Sequence, residues 1–261
     1  MTEVAILLAL LIVGVIGGLV LVSQQRERRR RELEDAKAEA RRWVERLGGQ
    51  VLNLTGIDVA SQQAIADASE RYNAAGSQLE QAQTTQQAKL VTATALEGLY
   101  YVRAARLAMD MDPGPSLPDD AERARAGKVT ADREVEVEGH QYVASPRAGQ
   151  ATPHYYPGGR VAGRPVPEGW YSEPWWKPAL VTGAWTMASV FMFSAMFSGM
   201  AGIPSAEAWQ DGYNAAEEDA MESGDMGGDA GGDMGGGDAG GDFGGGFFDG
   251  GGFGGDFGGG F

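Results

Sequence analysis

The sequence predicts a mainly α-helical membrane protein. Its expected parts are an N-terminal transmembrane helix, a cytoplasmic helical hairpin or short coiled coil, a small β-hairpin module, a second transmembrane helix and a disordered Gly-rich tail. Three observations predict it. Residues 4–22 and 179–203 are two long stretches without a charge. Helix-forming composition with apolar residues three and four apart runs through 24–111. Glycine makes up 21 of the last 40 residues, a composition that cannot bury enough apolar surface to offset its ordering entropy. The domains expected are 1–23, the anchor; 24–111, helical; 112–128, a linker; 129–178, the β-hairpin with a Pro/aromatic-rich stretch; 179–203, the second span; and 204–261, the acidic tail.

The run from Val4 to Val22 has 19 residues without a polar side chain. As a helix it rises about 28 Å, near the hydrocarbon thickness of a bilayer. A cleavable signal peptide would place its basic residues first. Here they follow, as Arg26, Arg28, Arg29, Arg30 and Arg31. With Lys177 they set the expected topology: N-terminus outside, residues 24–177 cytoplasmic, tail outside. Interleaved Glu27, Glu32 and Glu34 argue for a topology signal at a membrane surface rather than a nucleic-acid site. Gly14 and Gly18 form a Gly-x-x-x-Gly pair on which two helices could pack.

Residues 24–47 read as a charged helix with a narrow apolar stripe, ended by Gly48-Gly49. Asp58 is placed to cap the next helix. Ile65, Ala68, Tyr72, Ala75, Leu79 and Ala82 follow an a/d pattern for three heptads, which suits a hairpin or a dimer. Thr84-Thr85 marks a turn or cap. A further helix is expected from about Gln86 to Met111, with Leu90, Ala93, Leu96, Leu99, Tyr100, Leu107 and Met111 on its apolar side; Asp112-Pro113-Gly114-Pro115 closes it.

After Lys128 the period changes. Val129, Val135, Val137, Tyr142 and Val143 around Glu138-Gly139-His140 suggest a two-stranded hairpin. Residues 145–178, dense in Pro, Gly, Trp and Tyr, read as irregular chain forming an aromatic belt beside the second apolar segment. That segment, 179–203, is diluted by Thr182, Gly183, Thr186, Ser189, Ser194, Ser198 and Gly199. It reads as a second span, with Ala195 and Gly199 as a small-x-x-x-small face; a segment lying on the membrane surface is the alternative. In the tail, Phe243, Phe247, Phe248, Phe253, Phe257 and Phe261 are spaced by Gly and Asp and could act as low-affinity stickers.

The net charge of −15 belongs to one end. Residues 178–261 hold 13 acidic residues and no basic one, which argues against nucleic acid there. The chain has no cysteine, removing disulfides, thiolate metal sites and cysteine catalysis. Its two histidines, His140 and His154, lack the spacing of a zinc site; Ser145 lacks a nucleophile elbow; no phosphate loop is present. Glu97, Asp110 and Asp112 read as solvated helix residues. No catalytic, cofactor-binding or metal-ligating residue is expected, and no cofactor.

The run 64–113, with Ala-Asp-Ala-Ser-Glu-Arg-Tyr-Asn-Ala-Ala-Gly-Ser-Gln-Leu and Ala-Leu-Glu-Gly-Leu-Tyr-Tyr-Val-Arg-Ala-Ala-Arg, resembles an uncharacterised family of actinobacterial membrane proteins. So do Tyr155-Tyr156-Pro157-Gly158-Gly159, residues 163–171, and Pro174-Trp175-Trp176-Lys177-Pro178. The resemblance covers roughly 24–203 and implies bacterial origin and membrane location, with no catalytic residues. The expected function is a non-enzymatic, membrane-anchored scaffold or adaptor of the cell envelope. Its expected partners are the lipid bilayer, a second copy through membrane helices or coiled coil, and an envelope protein. The alternatives are an accessory subunit of a transport, secretion or cell-wall complex, and an atypical membrane hydrolase built around His140 or His154.

Overall fold

The computed structural model describes residues 2–118 and 121–209, and for residues 2–20 the backbone course alone. In chain order the elements are α1 (Thr2–Val51), α2 (Val59–Gln81), α3 (Thr85–Ala108), α4 (Ala121–Ala126), β1 (Arg133–Val137), β2 (His140–Ser145), β3 (His154–Tyr156), β4 (Gly159–Val161), β5 (Arg164–Val166), β6 (Gly169–Tyr171), α5 (Lys177–Thr182) and α6 (Met187–Phe197). They form two compact units. The first takes residues 1–119 and 148–157; the second takes 120–147 and 158–261.

In the first unit the C-terminal half of α1 packs with α2 and α3 as a three-helix bundle. Asp58 and Thr84 cap α2 and α3 through capping boxes closed by Ser61 and Gln87. The three-residue connector between α2 and α3 turns the chain back, and the Thr94 hydroxyl donates to the Gln78 side chain across the pair at 3.0 Å. The a/d seam therefore closes within the chain, as an antiparallel hairpin joined by α1.

The core is largely alanine: Ala40 from α1, Ala64, Ala68 and Ala75 from α2, Ala88, Ala95 and Ala105 from α3. Small side chains bring the helix backbones close. At Gly98 a Cβ would lie 2.4 Å from Leu47 Cδ2 and 3.1 Å from Arg71 Cβ, so a methyl where the three helices meet would force the buried Leu47 side chain to shift. This shifts the expected face of α3. Val91, Leu99 and Val102 are buried, while Leu90, Leu107 and Met111 are exposed. Nor does Gly48-Gly49 end α1. The helix continues to Val51 because the Tyr72 ring covers Gly48, and the Asn53 amide caps the Gly49 carbonyl at 2.7 Å.

The second unit overturns the expectation of a mainly α chain with one hairpin. Among the described residues the chain has six strands, so its class is α+β. β1 and β2 form an antiparallel hairpin about Glu138 and Gly139, which both take positive φ, and β6 pairs with β2 from Ala144–Tyr171 to Ser145–Trp170. β4 and β5 form a second hairpin. The stretch 145–178, expected as irregular chain, thus supplies three strands of this unit. β3 falls in the first unit, against α2 and α3.

Among the described residues no helix is long and apolar enough to cross a membrane, so the two-span architecture is corrected. Residues 179–203 do not form one helix. Gly183 adopts φ 70°, ending α5, and Thr186 caps a fresh start at Met187. At 11 residues α6 is about 16 Å long, half a bilayer core. Its Met192, Phe193, Met196 and Phe197 are buried within the unit, where α6 packs on β1 and β2. The first apolar stretch, 4–22, lies within the continuous backbone of α1. Up to residue 20 only the backbone course is described, so the packing expected at Gly14 and Gly18 lies outside what is described. The described part of α1, from residue 21, is charged, then amphipathic where it joins the bundle. The acidic tail from residue 210 onward, with Phe243, Phe247, Phe248, Phe253, Phe257 and Phe261, also lies outside the described residues.

Candidate functional site

Four groupings of side chains could carry function. The first is the bare stretch of α1. Residues 21–32 are exposed on every side of the helix, Leu33 is half-buried, and Ala40 is the first residue enclosed by the bundle. At 100° per residue Arg26, Arg28, Arg29, Arg30 and Arg31 distribute around the axis rather than along one face. Glu27 pairs with Arg31 at 3.1 Å, both well exposed, an i,i+4 contact that supports the helix only slightly.

The second is a polar cluster inside the bundle. Arg71 on α2 meets Glu97 on α3 at 3.3 Å, with their side chains only 19% and 24% exposed. Burial disfavours the Arg71 charge, but Glu97, helped by Tyr101, Glu70 and Tyr156, outweighs it and holds the guanidinium protonated above its ordinary range. Burial, then Glu97 and Asp67, pushes the Tyr101 phenol well above its ordinary value of 10.0. The Tyr101 ring meets Tyr155 of β3 edge-on, at 5.9 Å between centroids. Two half-buried opposite charges explain each other here, and the cluster fastens the 148–157 segment to the bundle. Glu97, expected as a solvated helix residue, is instead largely enclosed in this pair. The signal in the sequence is Gly98, a break in helix propensity that marks a close helix approach beside an acidic residue.

The third is the aromatic core of the second unit. Tyr171, Trp175 and Phe197 meet within about 6 Å of one another, and Trp209 stacks on Phe193 at 4.4 Å and 14°. The indole N–H groups of Trp209 and Trp185 donate to the carbonyls of Pro165 and Val161 at 2.7 and 2.9 Å. The Arg164 guanidinium lies 4.5 Å over the Trp209 ring. The aromatic residues expected as an interfacial belt are thus core residues, legible as such only once β6 and α6 are known to face one another.

The fourth is the pair His140 and Glu173, in direct hydrogen-bonded contact at the exposed tip of the β1–β2 hairpin, with the Tyr142 ring 4.8 Å from the imidazole. Burial, then Glu173 and Glu138, raises the Tyr142 phenol. The nearby hydroxyls are engaged with backbone amides: Ser172 accepts from Val143 N–H and Ser145 from Arg147 N–H. His154 belongs to the other unit, so the structure does not bring the histidines together in one unit. Among the described residues no group of three His, Asp or Glu is placed to hold a metal ion. Ala195 is exposed on α6, whereas Gly199 follows the end of the helix with φ 73°, so the two do not share a helix face. Lys177 is exposed at the first turn of α5.

No protein-family model matches the chain, and no curated protein or solved structure matches it either.

Proposed function

We propose that this chain is a non-enzymatic scaffold or adaptor of the bacterial cell envelope, anchored to a membrane by α1. The observation that carries this reading is the bare stretch of α1. One continuous helix joins the uncharged segment 4–22, a collar of arginines and a bundle that grips Ala40, Val44 and Leu47. A helix held at one end and free along its middle positions a cargo at a set distance, here about 42 Å between residues 4 and 32. Moving a Leu, Ile or Val side chain out of water is worth about 1.5–3 kcal/mol, so segment 4–22 has ample affinity for lipid. Each arginine near anionic headgroups adds about 1 kcal/mol. The proposal is association with the bilayer; a spanning arrangement forms no part of it. The resemblance of the 64–113 and 155–178 motifs to actinobacterial membrane proteins supports the envelope setting. The enclosure of Arg71, Glu97 and Tyr101 by helix packing favours a structural role for them over a catalytic one.

Fractionation of cells making the full chain tests the anchor. The protein is expected to stay with membranes through high-salt washes and to leave them in detergent. Leu10→Asp with Val13→Asp should move it to the soluble fraction. A wild-type chain found soluble, or released by salt alone, would sink the anchor. His140→Ala with Glu173→Gln, tested by complementation of a deletion strain, addresses the hydrolase alternative. Full complementation is expected; its loss in a folded variant would favour an enzyme.

A further inference from the structure

We infer that the acidic tail docks on the second unit of its own chain: an Asp-Phe step, Asp242-Phe243 or Asp256-Phe257, seats its phenyl ring in the cavity at the C-terminal end of α6 and its carboxylate on Arg133. The inference does not depend on membrane anchoring.

The cavity measures about 280 Å³ and combines apolar walls, among them Ile203 and Pro204, with three serines, Ser194, Ser198 and Ser205. Phe193, Phe197 and Met200, which also line it, are buried core residues, so its floor is held by the fold. An apolar cavity of about 150 Å³ is enough to hold benzene. The space therefore accepts a phenyl ring and part of its own backbone. The C-terminal end of a helix by itself disfavours an anion. Here Arg133 reverses that: its Nη2 lies 3.5 Å from the Ser198 carbonyl, and among the described residues it makes no ion pair. The cavity thus offers apolar side chains and serines inside and a cation at one edge.

The tail has the complementary chemistry. Residues 210–261 contain no Leu, Ile, Val or Trp, so Phe is their main large apolar side chain. They hold 12 acidic residues and no Lys or Arg, so any cation that pairs with them lies outside the tail. Asp directly precedes Phe at 242–243 and at 256–257, and follows it at 248–249. The geometry of departure also fits. Trp209 is fully buried and stacked on Phe193, a residue of the cavity wall, so the tail leaves beside its own docking site. The 33 residues from Trp209 to Asp242 correspond to a root-mean-square reach of about 32 Å for a Gly-rich chain. Tethering at that length gives an effective concentration of the order of millimolar, so a weak single-ring contact suffices.

The absence of cysteine makes the test clean. In the full chain, Ser198→Cys is combined with Gly231→Cys, Gly244→Cys or Gly258→Cys, and the rate of intrachain disulfide formation under a fixed oxidant is measured. Loop-closure statistics alone make the shortest tether, at Gly231, the fastest. Docking reverses that order: Gly244→Cys and Gly258→Cys should react about tenfold faster than Gly231→Cys. Arg133→Glu should abolish the advantage. Phe243→Gly, which cannot disturb the folded unit, should remove it at Gly244. The polymer order, an advantage that survives both Arg133→Glu and Phe243→Gly, or disulfides formed only between chains would each overturn the proposal.

Discussion

Gly98 shows how one missing side chain sets a helix interface. As an isolated helical residue it would gain about 1 kcal/mol on replacement by alanine. In place, the new methyl would fall 2.4 Å from Leu47 Cδ2, and Leu47 is fully buried. Overpacking of that kind costs about 1–3 kcal/mol, so the steric term wins. Gly98→Ala is expected to lower stability by up to about 2 kcal/mol, the overpacking cost less the helix-propensity gain, read as a lower urea midpoint with unchanged slope. Tyr101 gives a pH prediction at the same scale. Its folded phenol ionises above the ordinary 10.0, so the unfolded chain loses that proton first. The stabilisation is fully present below the unfolded value and is lost as pH rises through the folded one. Between pH 8 and about pH 11 the wild-type urea midpoint should fall more than that of Tyr101→Phe. Parallel declines would show that Tyr101 does not couple to folding.

At the scale of elements, α1 does two jobs in one helix. Residues 40–47 bury Ala40, Val44 and Leu47 in the bundle, while residues 21–32 touch nothing in the bundle core. A proline in the bare stretch therefore breaks the arm without entering the core. Glu32→Pro is expected to leave the thermal transition of the bundle within about 1 °C while shortening and broadening the spin-label distance between positions 24 and 46. A large drop in bundle stability would mean that the arm packs against the protein. The elements also show where pattern reading failed. The leucines of α3 at 90 and 107 look like core positions by periodicity, yet Val91, Ala95 and Leu99 face inward. Periodicity locates a stripe only to within a residue or so when alanine is the core residue, because alanine carries little hydrophobic signal in the sequence and much geometric value in the packing. The N-caps Asp58 and Thr84 were legible, since capping depends on residues three apart in the chain.

At the scale of the whole molecule, the chain spends its apolar residues on two different cores. The bundle is built on alanine and close backbone approach; the second unit is built on tryptophan, tyrosine, phenylalanine and methionine. They should respond to mutation separately. Trp209→Ala removes a fully buried indole, its stacking on Phe193 and its hydrogen bond to Pro165. A cost of about 3–5 kcal/mol is expected in the second unit. It should appear as loss of the near-UV aromatic circular dichroism while the far-UV helical signal of the bundle persists. Simultaneous loss of both signals would show that the units fold as one.

The sequence by itself determined the local features: the helical character of 24–111, the caps at Asp58 and Thr84, the turn at Glu138-Gly139, and an uncharged segment running directly into a basic collar. These depend on residues within a few positions of one another. Only the tertiary structure decided that 179–203 is divided at Gly183 and buries Met192, Phe193, Met196 and Phe197 while leaving Met187 and Phe191 exposed. The hydrophobicity of that segment is plain in its composition, but one face of α6 is covered by protein rather than lipid. A chain carries no local mark of which apolar surface will cover it. The strands that α6 packs on come from 133–145, more than forty residues away in the chain, and packing alone brings the two together.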